Sequence, residues 1–399
     1  MIKKWIIENI YFFFILFILS LFAYFNLNSM DNVVSEGNSM FVVFFTMLLF
    51  IFSIPYIVVL FKDLFTNHIL GIGKVIFFFS LFYFFIFFST LLFSDSHLSR
   101  IGVMFLLIKS VLPFIVLLVA YLYVKRNGVT YGLDVGILFL FIVLVYGYVS
   151  LFNIANTLDG GHIGVAYWVL WILPLIMVGK FKICRYISIF IVLLVLFSSI
   201  KRAGIVAFTL SFLVYLYYKF RGNNQNAFVN VLFGGIIISF FVYLFYILGT
   251  SGDNYIFERF ENIAEDEGSG RLDVWKETIH LISQSDLMGL LFGHGDNAVL
   301  RDSTLFLSAH NDFLEILYDY GFFAFLVFFY IIFLLLRMAN KLVERKSVYL
   351  PALFQLFVIV FVLMCISHVV IYPWMVLVCF SLGAFFALIE REQLNINNY

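Results

Sequence analysis

Residues 307–323 read LSAHNDFLEILYDYGFF, and they lead straight into AFLVFFYIIFLLL, residues 324–336. The apolar character is enough for a membrane span over 313–336, since a spanning helix needs about 20 mostly apolar residues. Yet His310, Asn311, Asp312, Glu315 and Asp319 stand at its mouth or in its first turns. Polar and ionisable groups there are expensive unless they face a wet cavity or do a job.

The rest of the chain has the same character. Of 399 residues, 64% are hydrophobic, 21% aromatic and 12% charged, a balance outside the range of soluble domains. The expected fold is an all-α polytopic membrane protein of about 12 transmembrane helices. The spans are read near 10–26, 40–61, 75–93, 103–124, 136–152, 164–179, 186–200, 203–219, 229–249, 313–336, 350–371 and 374–390. One long extracytoplasmic loop separates spans 9 and 10. This divides the chain into a bundle over 1–249, a loop subdomain over 250–309, and spans 10–12 over 310–399. A net charge of zero gives no basic field for nucleic acid, and no such motif occurs. Cys184, Cys365 and Cys379 have neither metal-ligand nor redox spacing.

Lysine and arginine set the orientation, because they concentrate on the cytoplasmic side. With the N-terminus inside, sixteen of the 24 basic residues fall on inner segments, among them Lys3, Lys125, Arg126, Lys180, Arg337 and Arg391. Both termini are then cytoplasmic. Arg100, Lys109, Lys201, Arg202, Arg259, Arg271, Lys276 and Arg301 remain outside or near the outer face. Each of these needs a reason to be there.

The loop over 250–309 holds eleven acids against four bases, a net of about −7. An anion site there has to be built from individually placed bases. Within it, SGRLDVWKETIHLI (269–282) reads as a helix opened by Ser269 and Gly270. Leu272, Trp275, Ile279 and Ile282 are expected on the face turned to the membrane or the bundle, with Arg271 in the first turn. LFGHGDNA (291–298) reads as a Gly-rich turn.

Ser308 is a good N-cap, which makes His310 and Asn311 first-turn residues of the tenth span. Such a helix start offers unpaired N–H groups and a positive dipole end, an anion site ready made. The same dipole favours the neutral imidazole a general base needs. Asn311, Glu315 and Asp319 follow at i, i+4 and i+8 as a polar stripe, expected to face a wet cavity.

HNDFLEILYDYGFFA (310–324) resembles the His-Asn, nine residues, Gly pattern of the bacterial O-antigen ligase and O-antigen polymerase superfamily. The Gly-Arg and Trp of SGRLDVW (269–275) and the turn SSIKRAG (198–204) are similar to two further motifs of that superfamily. Ala324, Lys201 and Val206 depart from the ligase pattern, which leans the reading toward a polymerase.

The resemblance implies a glycosyltransferase with a polyprenyl-diphosphate-linked glycan as donor and a glycan as acceptor. It would work without a cofactor in the bacterial cytoplasmic (inner) membrane, on the outer face. Arg202 and Arg271 would hold the diphosphate and His310 would orient or deprotonate the acceptor. Asn311, Lys201, Glu315, Lys109 and Arg100 are the further substrate-binding candidates. No metal is expected, since Asp31 and Glu36 stand five residues apart in the first outer loop and His280 and His294 lack partners at ligand spacing. A chain-length regulator or a flippase is an implied partner. A ligase moving the finished glycan to a lipid A core is the alternative function. A lipid-linked glycan flippase is a third, against which stands the clustering of the notable bases at one face rather than at mid-membrane.

Overall fold

The computed structural model describes residues 2–29, 43–55, 72–93, 100–129, 131–155, 166–199, 202–222, 271–305, 307–367 and 374–397, with isolated positions at 41, 58, 235 and 369. Among these every regular element is a helix. Five stretches are long and apolar enough to cross a membrane: Ile72–Leu92, Ser110–Asn127, Gly132–Ser150, Ala203–Arg221 and Gly321–Glu344. Ile10–Tyr24, Val43–Pro55, Ala166–Val178 and Leu350–Ile366 are shorter apolar helices. The expected span near 229–249 and the loop over 250–270 lie outside the described residues.

The chain divides into two compact units. The first joins residues 1–80, 99–204 and 371–399. Its helices are α1 (Ile2–Ser29), α2 (Val43–Pro55), the start of α3 (Ile72–Leu92), α4 (Arg100–Asn127), α5 (Tyr131–Ala155), α6 (Ala166–Val178) and α7 (Lys182–Ser198). The opening residues of α8 (Arg202–Gly222) and the C-terminal α15 (Trp374–Asn397) complete it. A helix that is hydrophobic all round belongs in a core, and α6 is buried from Ala166 to Met177. Close backbone approach holds α4 to α15, for a Cβ on Gly383 would lie 2.1 Å from the Leu117 carbonyl oxygen. Small residues permit such contacts where lipid supplies no hydrophobic drive between helices.

One end of this unit is polar. Lys125 pairs with Glu390 at 3.2 Å, and Tyr121 donates its hydroxyl to the same carboxylate. Arg391 donates to the carbonyls of Lys125 and Arg126 at 2.8 and 3.0 Å. Asp134, at the start of the next helix, accepts the Lys180 amide at 2.8 Å. Lys125, Arg126, Lys180 and Arg391 are thus gathered at a single end.

The second unit joins residues 81–98 and 205–370. It holds the end of α3, most of α8, and then α9 (Arg271–Gln284), α10 (Leu287–Phe292), α11 (Ala298–Asp302), α12 (Asp312–Asp319), α13 (Gly321–Glu344) and α14 (Leu350–Ile366). Tyr218 of α8 stacks on Phe354 of α14 at 4.4 Å between centroids.

Three expectations need correction here. The tenth span is not continuous over 313–336: the chain breaks at Tyr320, and Gly321 takes φ +83°. The membrane-length helix therefore begins at Gly321. The inward face of α9 is the expected one only in part. Val274 and Thr278 are buried and Trp275, Leu281 and Ile282 pack on a core of Ala298, Val299, Ala309 and Tyr318, while Leu272 and Ile279 are 46% and 56% exposed. The core lies on the α11 and α12 side of the helix, which draws the buried stripe to 274, 278 and 281. Finally, Ser308 is not the cap. Asn311 is, with its side-chain oxygen accepting from Phe313 N at 3.0 Å and Leu314 N at 3.3 Å.

Candidate active site

The cap at Asn311 leaves His310 just before the helix, in the left-handed region at φ 52°. A residue with a Cβ enters that region at a cost, so its neighbours must hold it there. Three of them do. Trp275 donates its indole N–H to the carbonyl of Ala309 at 2.7 Å, fixing the peptide that precedes His310. Glu315, 2% exposed, accepts the His310 amide at 3.2 Å. Asn311 closes the far side by capping and by donating to the Cys365 carbonyl at 3.4 Å.

Trp275 is one turn from Arg271 on α9, so the two share a face. The indole bond therefore ties the helix that carries Arg271 to the backbone of His310. Arg271 itself is the first residue of α9 and half-buried. Two motifs separated by 34 residues meet through this one bond.

The acids of the opening stretch do not line a wet cavity as expected. Asp312 is fully buried and accepts the Val369 amide at 2.8 Å. Asp319, also buried, accepts from Val299 N at 3.0 Å. With Glu315, each of the three receives a backbone N–H group, as buried polar side chains generally do. At the helix N-terminus the Asn311 side chain occupies two of the N–H groups, those of Phe313 and Leu314.

A frame the sequence reading did not foresee holds α12 in place. His294 and Gly295 donate their amides to the Asp319 carbonyl at 3.1 and 2.8 Å, and Ser89 adds its hydroxyl at 2.9 Å. Gly293 is needed for this contact: a Cβ there would lie 2.2 Å from the Asp319 oxygen. Tyr320 donates to Asp296 at 2.8 Å and Tyr318 to Asp302 at 3.0 Å, while the His294 ring stacks on Tyr318 at 4.4 Å. A glycine-flanked His beside a Tyr-Asp-Tyr-Gly run was the signal available in the sequence.

The remaining candidates lie on other elements. Arg202 opens α8, whose last turn carries Lys219 and Arg221. Its helical rise puts Arg202 about 30 Å from Arg221, so the two sit at opposite ends of a membrane-length helix. Arg100 opens α4 and Lys109 lies within it. The side chains of Arg100, Lys109 and Arg202 lie outside the described residues, as does Lys201 altogether. Among the described residues no group of three His, Cys, Asp or Glu converges as metal ligands do.

No curated protein matches the chain. Residues 187–329, which run from α7 through the His310 motif into α13, match the family model described as O-antigen ligase, a match that supports the resemblance to the O-antigen ligase and polymerase superfamily.

Proposed function

We propose that the protein is an inverting, metal-independent glycosyltransferase acting on a polyprenyl-diphosphate-linked glycan at the outer face of the cytoplasmic membrane. The observation that carries this reading is the Trp275 to Ala309 bond, which joins the arginine-bearing helix to His310. In the reaction an acceptor hydroxyl oxygen attacks the anomeric carbon of the donor. The bond from that carbon to the diphosphate oxygen breaks, its electron pair stays on the leaving diphosphate, and the hydroxyl proton passes to His310. Arg271 and Arg202 offset the charge of the diphosphate, which is present in the ground state and grows on the leaving oxygen.

The acceptor proposed is a second lipid-linked repeat unit, which makes the enzyme a polymerase of a surface polysaccharide. Transfer to a lipid A core or another acceptor is the second reading, favoured by the ligase description of the matched family. Deleting the gene and analysing the envelope glycan separates them. Single repeat units at the surface are expected for a polymerase. Long chains retained on the carrier lipid would establish the ligase reading, and an unchanged glycan would remove both.

A further inference from the structure

The short helix α10 turns its large side chains away from the protein. Leu287 is 70% exposed, Met288 54% and Leu290 38%. Gly289 faces inward, where a Cβ would meet the His294 ring at 2.4 Å. The glycine thus lets α10 lie flat on the loop subdomain with its apolar residues outermost.

Aromatic contacts fix where this surface sits. Phe292 meets Phe88 of α3 edge-on at 5.7 Å and Phe323 of α13 at 5.5 Å, and Phe323 stacks on Phe85 at 5.9 Å. Phe88 lies four residues before the Leu92 end of α3, roughly 6 Å along the axis. Both α3 and α13 are membrane-length helices. Their outward surfaces beside α10 are apolar as well, with Leu91, Leu92, Phe322 and Leu326 all exposed. The exposed residues of α10 therefore continue the lipid-facing surface of two spans, about one helical turn inside the end of α3 and about half a turn inside the start of α13. That depth, roughly 3–6 Å, meets the shallow end of the range of an interfacial helix, which sits ~5–10 Å into the boundary of headgroups and acyl chains. Asp286 at its N-cap is exposed and accepts from Gly289 N at 2.7 Å, which leaves the polar end of the segment toward water.

We propose that α10 is a monotopic bilayer anchor, with Leu287, Met288 and Leu290 seated among lipid acyl chains. The anchor fixes the Gly293–Gly295 turn, and through its bonds to Asp319 the start of α13, at a set height on the membrane.

The test places spin labels at M288C and L290C in full-length protein whose three native cysteines are replaced by alanine, reconstituted in phosphatidylethanolamine and phosphatidylglycerol vesicles. High collision rates with oxygen and low rates with a water-soluble nickel chelate are expected, matching L326C on α13 and opposite to K276C on α9. Nickel access equal to that of K276C would overturn the anchor in favour of a wet surface. Low access for both reagents would overturn it in favour of a protein partner or a second copy. Should the cysteine-free protein fail to fold, benzoylphenylalanine at 288 in the native background reads the same question. Photo-adducts with lipid are then expected, and adducts confined to protein or water would contradict the proposal.

Discussion

His310 is defined less by its ring than by what holds its backbone. Its left-handed φ is kept by Trp275 on the carbonyl before it and Glu315 on its own amide. Each hydrogen bond contributes about 1 kcal/mol net, so losing one misplaces the imidazole without unfolding the protein. Trp275→Phe keeps the aromatic packing and removes the donor. Turnover should fall about five- to tenfold at near-normal donor KM, measured on purified enzyme, and an unchanged kcat would show that the indole bond does not position His310. Glu315→Ala removes the amide's carboxylate acceptor at a half-buried position, costing about 1 kcal/mol or more. Lower thermal stability is expected for it, with Glu315→Gln, which retains a carbonyl oxygen, close to wild type.

At the scale of elements, α12 is the part the sequence half concealed. Its polar residues were visible as a stripe, but a stripe does not say whether it meets water or backbone amides. The partners of Asp319 and Asp312 lie 20 and 57 residues away in the chain, beyond any local pattern. Ser308 and Asn311 are both good caps, and the local bond of the His310 amide to Glu315 together with the long-range bond of Asn311 to the Cys365 carbonyl favours Asn311. Helices such as α3, α5 and α13 were legible because length and apolarity suffice. The break at Gly321 was not, since a glycine within an apolar run carries no mark of its φ. Gly321→Ala forces a Cβ to 2.4 Å from Gly293 N at φ +83°. It should cost at least 1–3 kcal/mol, seen as a lowered Tm, and wild-type stability would mean the break is not needed.

The loop helices also carry a pH response. Burial holds the His294 imidazole below its ordinary 6.5, against the pull of Asp302 and Asp286. The unfolded segment then binds the proton first, so stability is full above about pH 6.5 and lost as pH falls below it. Hydrogen bonds from Thr304, then Ser303, hold Glu277 below its ordinary 4.5, giving a second loss only below that pH. Hydrogen exchange over residues 271–305, corrected for intrinsic rate, should rise between pH 7 and 5. His294→Phe should abolish that upper step, and its persistence would assign the step elsewhere.

For the whole molecule, the side of the membrane that the end carrying Lys125, Arg126, Lys180 and Arg391 faces is open to direct test. Reporter fusions after Lys341 and Arg391 should report cytoplasm, and a fusion near Asp286 the outer side. A cytoplasmic signal at Asp286 would remove the donor chemistry from the face where it is proposed. The most direct measurement is turnover of a polyprenyl-diphosphate-linked oligosaccharide by the purified, reconstituted protein with EDTA present. Wild type should release polyprenyl diphosphate and form longer or transferred glycan, while His310→Ala and His310→Gln should both bind donor normally and turn over about 10²- to 10⁴-fold more slowly. Substantial turnover by the Gln variant, or wild-type activity that returns only when Mg²⁺ or Mn²⁺ is added, would contradict the account.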